Sequence, residues 1–217
     1  MTDLRNFTMA SARPLPVILL VDVSGSMDAN GKITAVNRAV SEMLESFQEG
    51  DNNRVEIQVA VITFGGNSAV LYQDLRPASE IRWNDMKASG KTPMGAAFKL
   101  VTELIEDRQK IPSRAYTPSI ILISDGISTD EWEIPLKALL ASERASKAAR
   151  FAMSIGDDAN QETLKIFLSG SGNKLQFAHE AAEIQKFFRW VTMSVTTRSQ
   201  SNNPNKVEST EPNDFDY

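Results

Sequence analysis

The chain has 217 residues, a net charge of −5 at pH 7, and 41% hydrophobic against 24% charged residues. This length and composition suit one sizeable hydrophobic core with short tails. The acidic balance argues against nucleic acid as a partner, because phosphates require a basic surface. The chain has no cysteine, which excludes disulfides and thiolate metal sites.

The two ends of the chain differ from its centre. Residues 1–14 are predicted to form a loose arm without an apolar signal core, and no later run is apolar enough to span a membrane. Residues 198–217 are polar and rich in Ser, Asn, Asp and Glu, which predicts a disordered tail. We therefore expect one domain over residues 15–197 in a cytoplasmic protein that does not bind membranes.

Strand and helix patterns alternate along this domain. An apolar run at residues 17–21 predicts a buried strand, and residues 32–48 follow with helical spacing of apolar side chains. A long strand at 55–64 precedes a shorter one at 69–75, which is expected at the sheet edge as a hairpin partner. The pattern continues with a helix after Pro93, a strand at 119–124, a helix at 132–148, a strand at 151–155, a helix at 162–168, a strand at 175–178 and a closing helix.

This alternation predicts an α/β fold with a mostly parallel sheet, one antiparallel edge strand and helices on both faces. In such sheets, ligands bind outside the carboxyl ends of the strands. Asp22 and Asp125 each end a predicted strand. Both carboxylates are thus expected at the edge of the sheet where a site would form.

Oxygen-bearing side chains follow the first strand at alternate positions. Asp22, Ser24 and Ser26 lie in a short stretch that contains Gly25, so a tight loop can aim them at one point. Three hard oxygen ligands suit a small divalent cation such as Mg²⁺ better than zinc, which favours nitrogen and sulfur. The stretch predicts a metal-binding loop.

Two later elements complete the predicted site. Thr92 lies in a loop that leads into a helix, and Asp125 follows an apolar strand and precedes a turn glycine. Each element alone has an ordinary structural reading, such as a helix cap or a turn. Asp22, Ser24, Ser26, Thr92 and Asp125 occur in the same order as in the metal site of von Willebrand factor type A domains, and this resemblance implies one metal centre formed from three loops.

The order Asp-x-Ser-x-Ser, loop threonine, strand-ending aspartate resembles the metal-ion-dependent adhesion site of von Willebrand factor type A domains, and the resemblance covers residues 15–197. It implies a three-layer, Rossmann-like fold. It also implies Mg²⁺, with Mn²⁺ or Ca²⁺ as alternatives, ligated by the hydroxyls of Ser24 and Ser26, and by Thr92 directly or through water. Asp22 and Asp125 would accept hydrogen bonds from these hydroxyls and from metal-bound waters. The implied partner is a protein that offers an Asp or Glu carboxylate.

A narrower resemblance concerns the first-strand region, the Thr92 loop and the closing helix around residues 187–195. These segments look like bacterial tellurite-resistance proteins of the TerY type. That resemblance implies a stress-response setting, with a protein kinase and a metal-dependent protein phosphatase among the partners.

The sequence supports a catalytic function less well than a binding function. His179 is the one histidine, and the sequence has no Gly-x-Ser-x-Gly elbow. An aspartyl phosphatase would need a second acid at Ser24, and a phosphate-binding loop ending at Thr92 would need a glycine where Asp85 stands. We predict a Mg²⁺-dependent interaction module that acts as a regulatory or scaffold subunit and is not an enzyme. The alternative is a metal-dependent phosphoester hydrolase.

Overall fold

The computed structural model describes residues 12–50, 54–156 and 161–206. In this part of the chain, six strands form one sheet: β1 (Arg13–Asp22), β2 (Val55–Gly65), β3 (Ser68–Pro77), β4 (Ser119–Ser124), β5 (Ala149–Ile155) and β6 (Gln176–Ala178). The α-helices are α1 (Lys32–Gly50), α2 (Met94–Glu106), α3 (Glu133–Ala141), α4 (Gln161–Phe167) and α5 (Ala181–Gln200). Short 3-10 segments lie at 25–31, 78–80 and 145–147. None of the described helices is long and apolar enough to cross a membrane.

The sheet has the strand order β3-β2-β1-β4-β5-β6. All neighbouring strands are parallel except β3, which runs antiparallel to β2 at one edge. β1 and β4 lie at the centre, and nearly all of their side chains are buried, as expected for strands covered on both faces. The predicted α/β class, with one antiparallel edge strand, is confirmed.

Helices cover both faces of the sheet and divide the core in two. Alternate residues of β1 point to opposite sides, so Leu19 packs in one cluster and Ile18 in the other. The first cluster includes the apolar faces of α1 and α5, with the ring of Trp190 against Phe151. The second cluster includes α2, α3 and α4. The strand ends between these helical layers remain accessible for a site.

The structure corrects the predicted end of the third helix. α3 ends at Ala141 and not at residue 148, and Ser142 has extended backbone angles. The chain is held there by Arg144, whose backbone amide donates to the Glu106 carboxylate at 2.8 Å and whose guanidinium donates to the carbonyl of Ile111 at 2.8 Å. These contacts with the end of α2 replace a continuing helix.

The ends of the predicted domain also shift. β1 begins at Arg13, inside the predicted arm, and the first eleven residues lie outside the described part of the chain. α5 continues to Gln200, past the predicted domain end at 197. The cause is Arg198, which is buried and donates hydrogen bonds to Ser119 Oγ and the carbonyl of Pro204. The predicted disorder of residues 207–217 falls outside the described residues.

Candidate metal centre

The five predicted site residues lie at one edge of the sheet, where β1 and β4 end side by side. The strands are parallel and pair Val21 with Ile123, so Asp22 and Ser124 follow at the same level. Ser124 Oγ donates to Asp22 Oδ2 at 2.6 Å, which ties the two strand ends together. Asp22 and Asp125 therefore lie at the edge of the sheet where the carboxyl-end rule predicts a site.

The serine loop (residues 22–26) folds back on its own aspartate. The backbone amide of Ser24 donates to Asp22 Oδ1 at 2.8 Å, and the hydroxyls of Ser24 and Ser26 lie 2.9 Å apart. Asp22 and Ser24 are buried, whereas Ser26 is exposed. The loop therefore places Ser26 at the surface, with the Asp22 carboxylate buried behind it.

Asp125 faces the serine loop from the end of β4. Its Oδ1 accepts a hydrogen bond from Ser26 Oγ at 2.8 Å, and its Oδ2 accepts one from Lys32 Nζ at 2.6 Å. The aspartate is buried, and Lys32 is the first residue of α1. The sequence analysis did not include Lys32 in the site, because nothing near it in the sequence indicates a contact with a residue 93 positions away.

Thr92 closes the site from the third side. A Cβ added to Gly126 would lie 3.3 Å from Thr92 Oγ1 and 3.8 Å from Asp22 Oδ2, so both oxygens border the same small space. Gly126 leaves this space open because it has no side chain. All five predicted residues are thus brought together, and their role as ligands stays a prediction.

The threonine loop (residues 88–93) is held by backbone hydrogen bonds on both sides. The amide of Ser89 donates to Val23 O at 2.7 Å, and the amide of Lys91 donates to Gly66 O at 3.0 Å. Gly90 lies between them with φ of +75°, and a Cβ there would be 2.5 Å from Gly66 Cα. Only glycine fits this close passage, because a side chain would be both strained and obstructed.

Asp130 is the second important residue that the sequence analysis missed. Its two carboxylate oxygens accept the backbone amides of Gly95 and Ala96 at 2.8 and 2.9 Å, so a residue from the aspartate loop (125–132) caps the N-terminus of α2. Next to it, Thr129 Oγ1 accepts the amide of Thr92 at 3.1 Å. An acid five residues after Asp125 was visible in the sequence, but the helix that it caps was not.

The electrostatics of Asp22 favour a cation. Burial raises the pKa of Asp22, hydrogen bonds from Ser124 and Ser24 oppose this rise, and the nearby charge of Asp125 adds to it. Among the described residues, its hydrogen-bond donors are hydroxyl and amide groups without charge. A buried carboxylate with neutral partners is costly, and a divalent cation beside it would supply the missing positive charge.

The donor set fits a hard divalent cation. Within the described ranges, no three His, Cys, Asp or Glu side chains cluster as a metal site. The oxygens here are two carboxylates and the hydroxyls of Ser24, Ser26 and Thr92. Oxygen donors without nitrogen or sulfur match Mg²⁺, Mn²⁺ or Ca²⁺ better than a structural zinc.

A family model described as the von Willebrand factor type A domain matches residues 17–127, which include all five site residues. The chain belongs to the von Willebrand factor type A family. A curated relative, the uncharacterized protein Rv2850c of Mycobacterium tuberculosis, is 33% identical over 117 residues. That match covers 52% of this chain and 18% of the relative, so the matched segment is a small part of that relative.

Solved structures share the type A fold at low identity. A von Willebrand factor type A protein from Catenulispora acidiphila has a TM-score of 0.65 and 21% identity, with 85% of this chain and 43% of that chain covered. The pilus adhesin SpaC of Lactobacillus rhamnosus GG has a TM-score of 0.69 and 15% identity, with 88% and 31% covered. The mussel byssus protein PTMP1 has a TM-score of 0.62 and 17% identity, with 84% and 48% covered, and is described with zinc in its adhesion-site motif.

Proposed function

We propose that this type A domain is a Mg²⁺-dependent protein-interaction module, which binds a partner protein through an Asp or Glu carboxylate. The observation that carries the proposal is the convergence of five oxygen-bearing side chains at the carboxyl ends of β1 and β4. Ser26 is exposed, so this cluster borders solvent. A partner can therefore reach the site without a change in the core.

The side chains divide into two roles. The hydroxyls of Ser24 and Ser26, with Thr92, are the proposed direct ligands. Asp125 orients Ser26 by accepting its hydroxyl, and Asp22 holds the serine loop by accepting the Ser24 amide. Neutral hydroxyl ligands leave the cation's charge incompletely compensated. A bound divalent cation would then supply a Lewis-acidic position that accepts a carboxylate oxygen.

A binding role explains the site better than hydrolysis does. Ser24 occupies the position of an aspartyl phosphatase's second acid, and its hydroxyl is paired with Ser26. Asp22 is buried and accepts two hydrogen bonds, so it is poorly placed to attack a substrate. No observation on the described residues favours the phosphoester hydrolase alternative, and we propose that the protein is not an enzyme.

The proposed setting is a bacterial stress response of the tellurite-resistance type, in which the domain serves as a cytoplasmic regulatory or scaffold subunit. The support is the resemblance of the threonine loop and of α5 to TerY-type proteins. A protein kinase and a metal-dependent protein phosphatase are then the expected partners. Purified candidates of these two classes can be tested directly for Mg²⁺-dependent binding.

The test of the proposed function is capture of a partner by wild type and by Ser26→Ala, each in Mg²⁺ and in EDTA. Ser26 is preferable to Asp22 because it is exposed, so its loss should leave the fold intact. The control is Ser169→Ala, an exposed serine at the opposite end of the sheet, where its carbonyl accepts Arg150.

We expect a partner that is recovered by wild type and Ser169→Ala in Mg²⁺, and is lost in EDTA or with Ser26→Ala. Equal recovery of the partner under all conditions would contradict metal-bridged binding and would indicate that the partner binds another surface.

A further inference from the structure

Lys32 extends its ammonium directly onto the candidate metal centre. Its Nζ lies 2.6 Å from Asp125 Oδ2, and the two side chains are 20% and 0% exposed. Four further ion pairs, Arg38–Glu42, Lys99–Glu103, Arg108–Glu143 and Lys110–Asp74, join side chains that are 44% exposed or more. Exposed pairs contribute little, whereas a charge in a sheltered pair acts on its neighbours with less screening by water and salt.

The charges around the site can be counted. Asp22 and Asp125 contribute two negative charges, and Lys32 contributes one positive charge, so the protein supplies a net charge of minus one. The hydroxyls of Ser24, Ser26 and Thr92 add none. A divalent cation would bring this cluster to plus one, whereas without the lysine it would come to zero.

We propose that Lys32 sets the charge of the metal centre, so that its ammonium weakens divalent-cation binding and strengthens the capture of an anionic group by the loaded site. The inference rests on the proposed function and identifies the residue that tunes it. The inference predicts two opposite effects when the lysine charge is removed. The affinity for the divalent cation should rise, and the affinity of the loaded site for an anion should fall.

The surroundings of Lys32 allow the charge to be removed without disturbing the fold. A cavity of about 380 Å³ lies beside the lysine, and its lining includes the apolar Ile155 and Ile184 as well as the polar Asn30, His179 and Glu180. A Cβ on Gly156 would be 3.6 Å from Lys32 Nζ, so the side chain lies along one wall of this cavity. Methionine has a similar length and an apolar character that suits the two isoleucines.

The experiment compares the Mn²⁺ and Mg²⁺ affinities of wild type, Lys32→Met and Lys99→Met, by calorimetry and by the EPR signal of free Mn²⁺. Lys99 is the matched control, because it is an exposed lysine on α2 whose nearest ion-pair distance is 4.0 Å. Both variants lose one positive charge, so an effect of net charge alone would be equal in the two. We expect Lys32→Met to bind either cation at least about tenfold more tightly, and Lys99→Met to match wild type.

The second arm tests the anion. At saturating Mn²⁺, acetate is titrated while water-proton relaxation by the bound ion is followed. Lys32→Met should bind acetate about threefold or more weakly than wild type. Lys32→Arg keeps the charge and should stay close to wild type in both arms.

The outcomes separate this inference from the proposed function. If wild type binds neither cation, the proposed function fails and the inference fails with it. If wild type binds but Lys32→Met has unchanged or weaker cation affinity, only the inference is overturned. Circular dichroism checks that the variants fold. If Lys32→Met does not fold, the ¹³Cε NMR signal of Lys32 in wild type is followed instead. A shift of this signal on Mg²⁺ addition supports the inference, and no shift overturns it.

Discussion

At the scale of single residues, the candidate site contains the Asp22 carboxylate, whose charged form is destabilised by burial. Asp22 is buried at the end of a central strand, and burial raises its pKa because water no longer solvates the charge. Hydrogen bonds from Ser124 and from the Ser24 amide hold the carboxylate in place. The charged form of Asp22 is therefore energetically unfavourable, and a bound cation would stabilise it.

The first prediction concerns Asp22→Asn. The amide keeps the shape and an acceptor oxygen but removes the charge, so in EDTA the variant should be no less stable than wild type. With Mg²⁺ at a hundredfold excess over its dissociation constant, wild type should gain about 2–3 kcal/mol of unfolding free energy and the variant almost nothing. Urea unfolding in both conditions measures this. An equal Mg²⁺ effect on the two proteins would exclude Asp22 from the metal site.

The convergence of the five candidate residues was predictable from sequence because four of them lie in short motifs at strand ends. Asp22, Ser24 and Ser26 share one loop, and Asp125 directly follows a recognisable strand. Lys32 was not predictable, because its contact joins the start of a helix to the end of a strand 93 residues away. A local pattern carries no information on such a contact.

At the scale of elements, the position of Thr92 depends on how α2 begins. A Cβ on Gly95 would lie 1.9 Å from the carbonyl oxygen of Glu131, so the helix and the aspartate loop pass in direct contact. Asp130 accepts the amides of Gly95 and Ala96 at this crossing. The cap therefore fixes the threonine loop relative to Asp125.

The second prediction is that Asp130→Ala weakens both stability and metal binding. Two backbone amides lose their acceptor, which should lower the free energy of unfolding by about 1–2 kcal/mol and reduce Mg²⁺ affinity several-fold. Asp130→Asn retains one acceptor and should lose less. The control is Asp107→Ala, an exposed aspartate that accepts the Gln109 amide at the other end of α2. Unchanged Mg²⁺ affinity in Asp130→Ala would contradict the positioning role.

Element boundaries were less predictable than element types. The apolar pattern of α3 continues towards residue 148, but the contacts of Arg144 with Glu106 and Ile111 end the helix early. The polar sequence from Arg198 onward predicts a tail, although Arg198 is buried and donates a hydrogen bond to the carbonyl of Pro204. In both cases tertiary hydrogen bonds override the local pattern.

At the scale of the whole molecule, a buried arginine near the end of α5 adds polar contacts to the apolar packing of this helix on the sheet. The guanidinium of Arg198 donates to Ser119 Oγ, Thr117 O and Pro204 O, each at 2.8–2.9 Å. Burial lowers the pKa of Arg198 to about 10. The opposite end of the sheet from the metal centre is therefore closed by polar contacts, which fixes the closing helix in its register.

The third prediction is that Arg198→Leu destabilises the whole domain. Three acceptors lose their donor, and we expect the free energy of unfolding to fall by about 2–3 kcal/mol. Arg198→Lys keeps the charge but cannot reach all three acceptors, so its loss should be intermediate. Arg38→Leu is the control, because Arg38 is exposed and paired only with Glu42 on the same helix. Chemical denaturation of the four proteins measures these losses. Equal losses of unfolding free energy in Arg198→Leu and Arg38→Leu would contradict the role of Arg198.

The overall topology was the most predictable level. Alternating strands and helices, with hydrophobic runs at β1 and β4, determine a mostly parallel sheet and direct the site to its carboxyl edge. The antiparallel edge position of β3 followed from the short turn after β2. What the chain binds at that edge depends on side-chain placement rather than on topology.

The central claim is that a divalent cation binds among the oxygens of β1, β4 and the threonine loop. The most direct measurement is a crystal structure with Mn²⁺, using anomalous differences to locate the ion. We expect one strong peak within coordination distance of Ser24, Ser26 and Thr92, which disappears in Asp22→Asn. Two results would contradict the claim: well-ordered site residues with no anomalous peak, or a peak found only elsewhere on the surface.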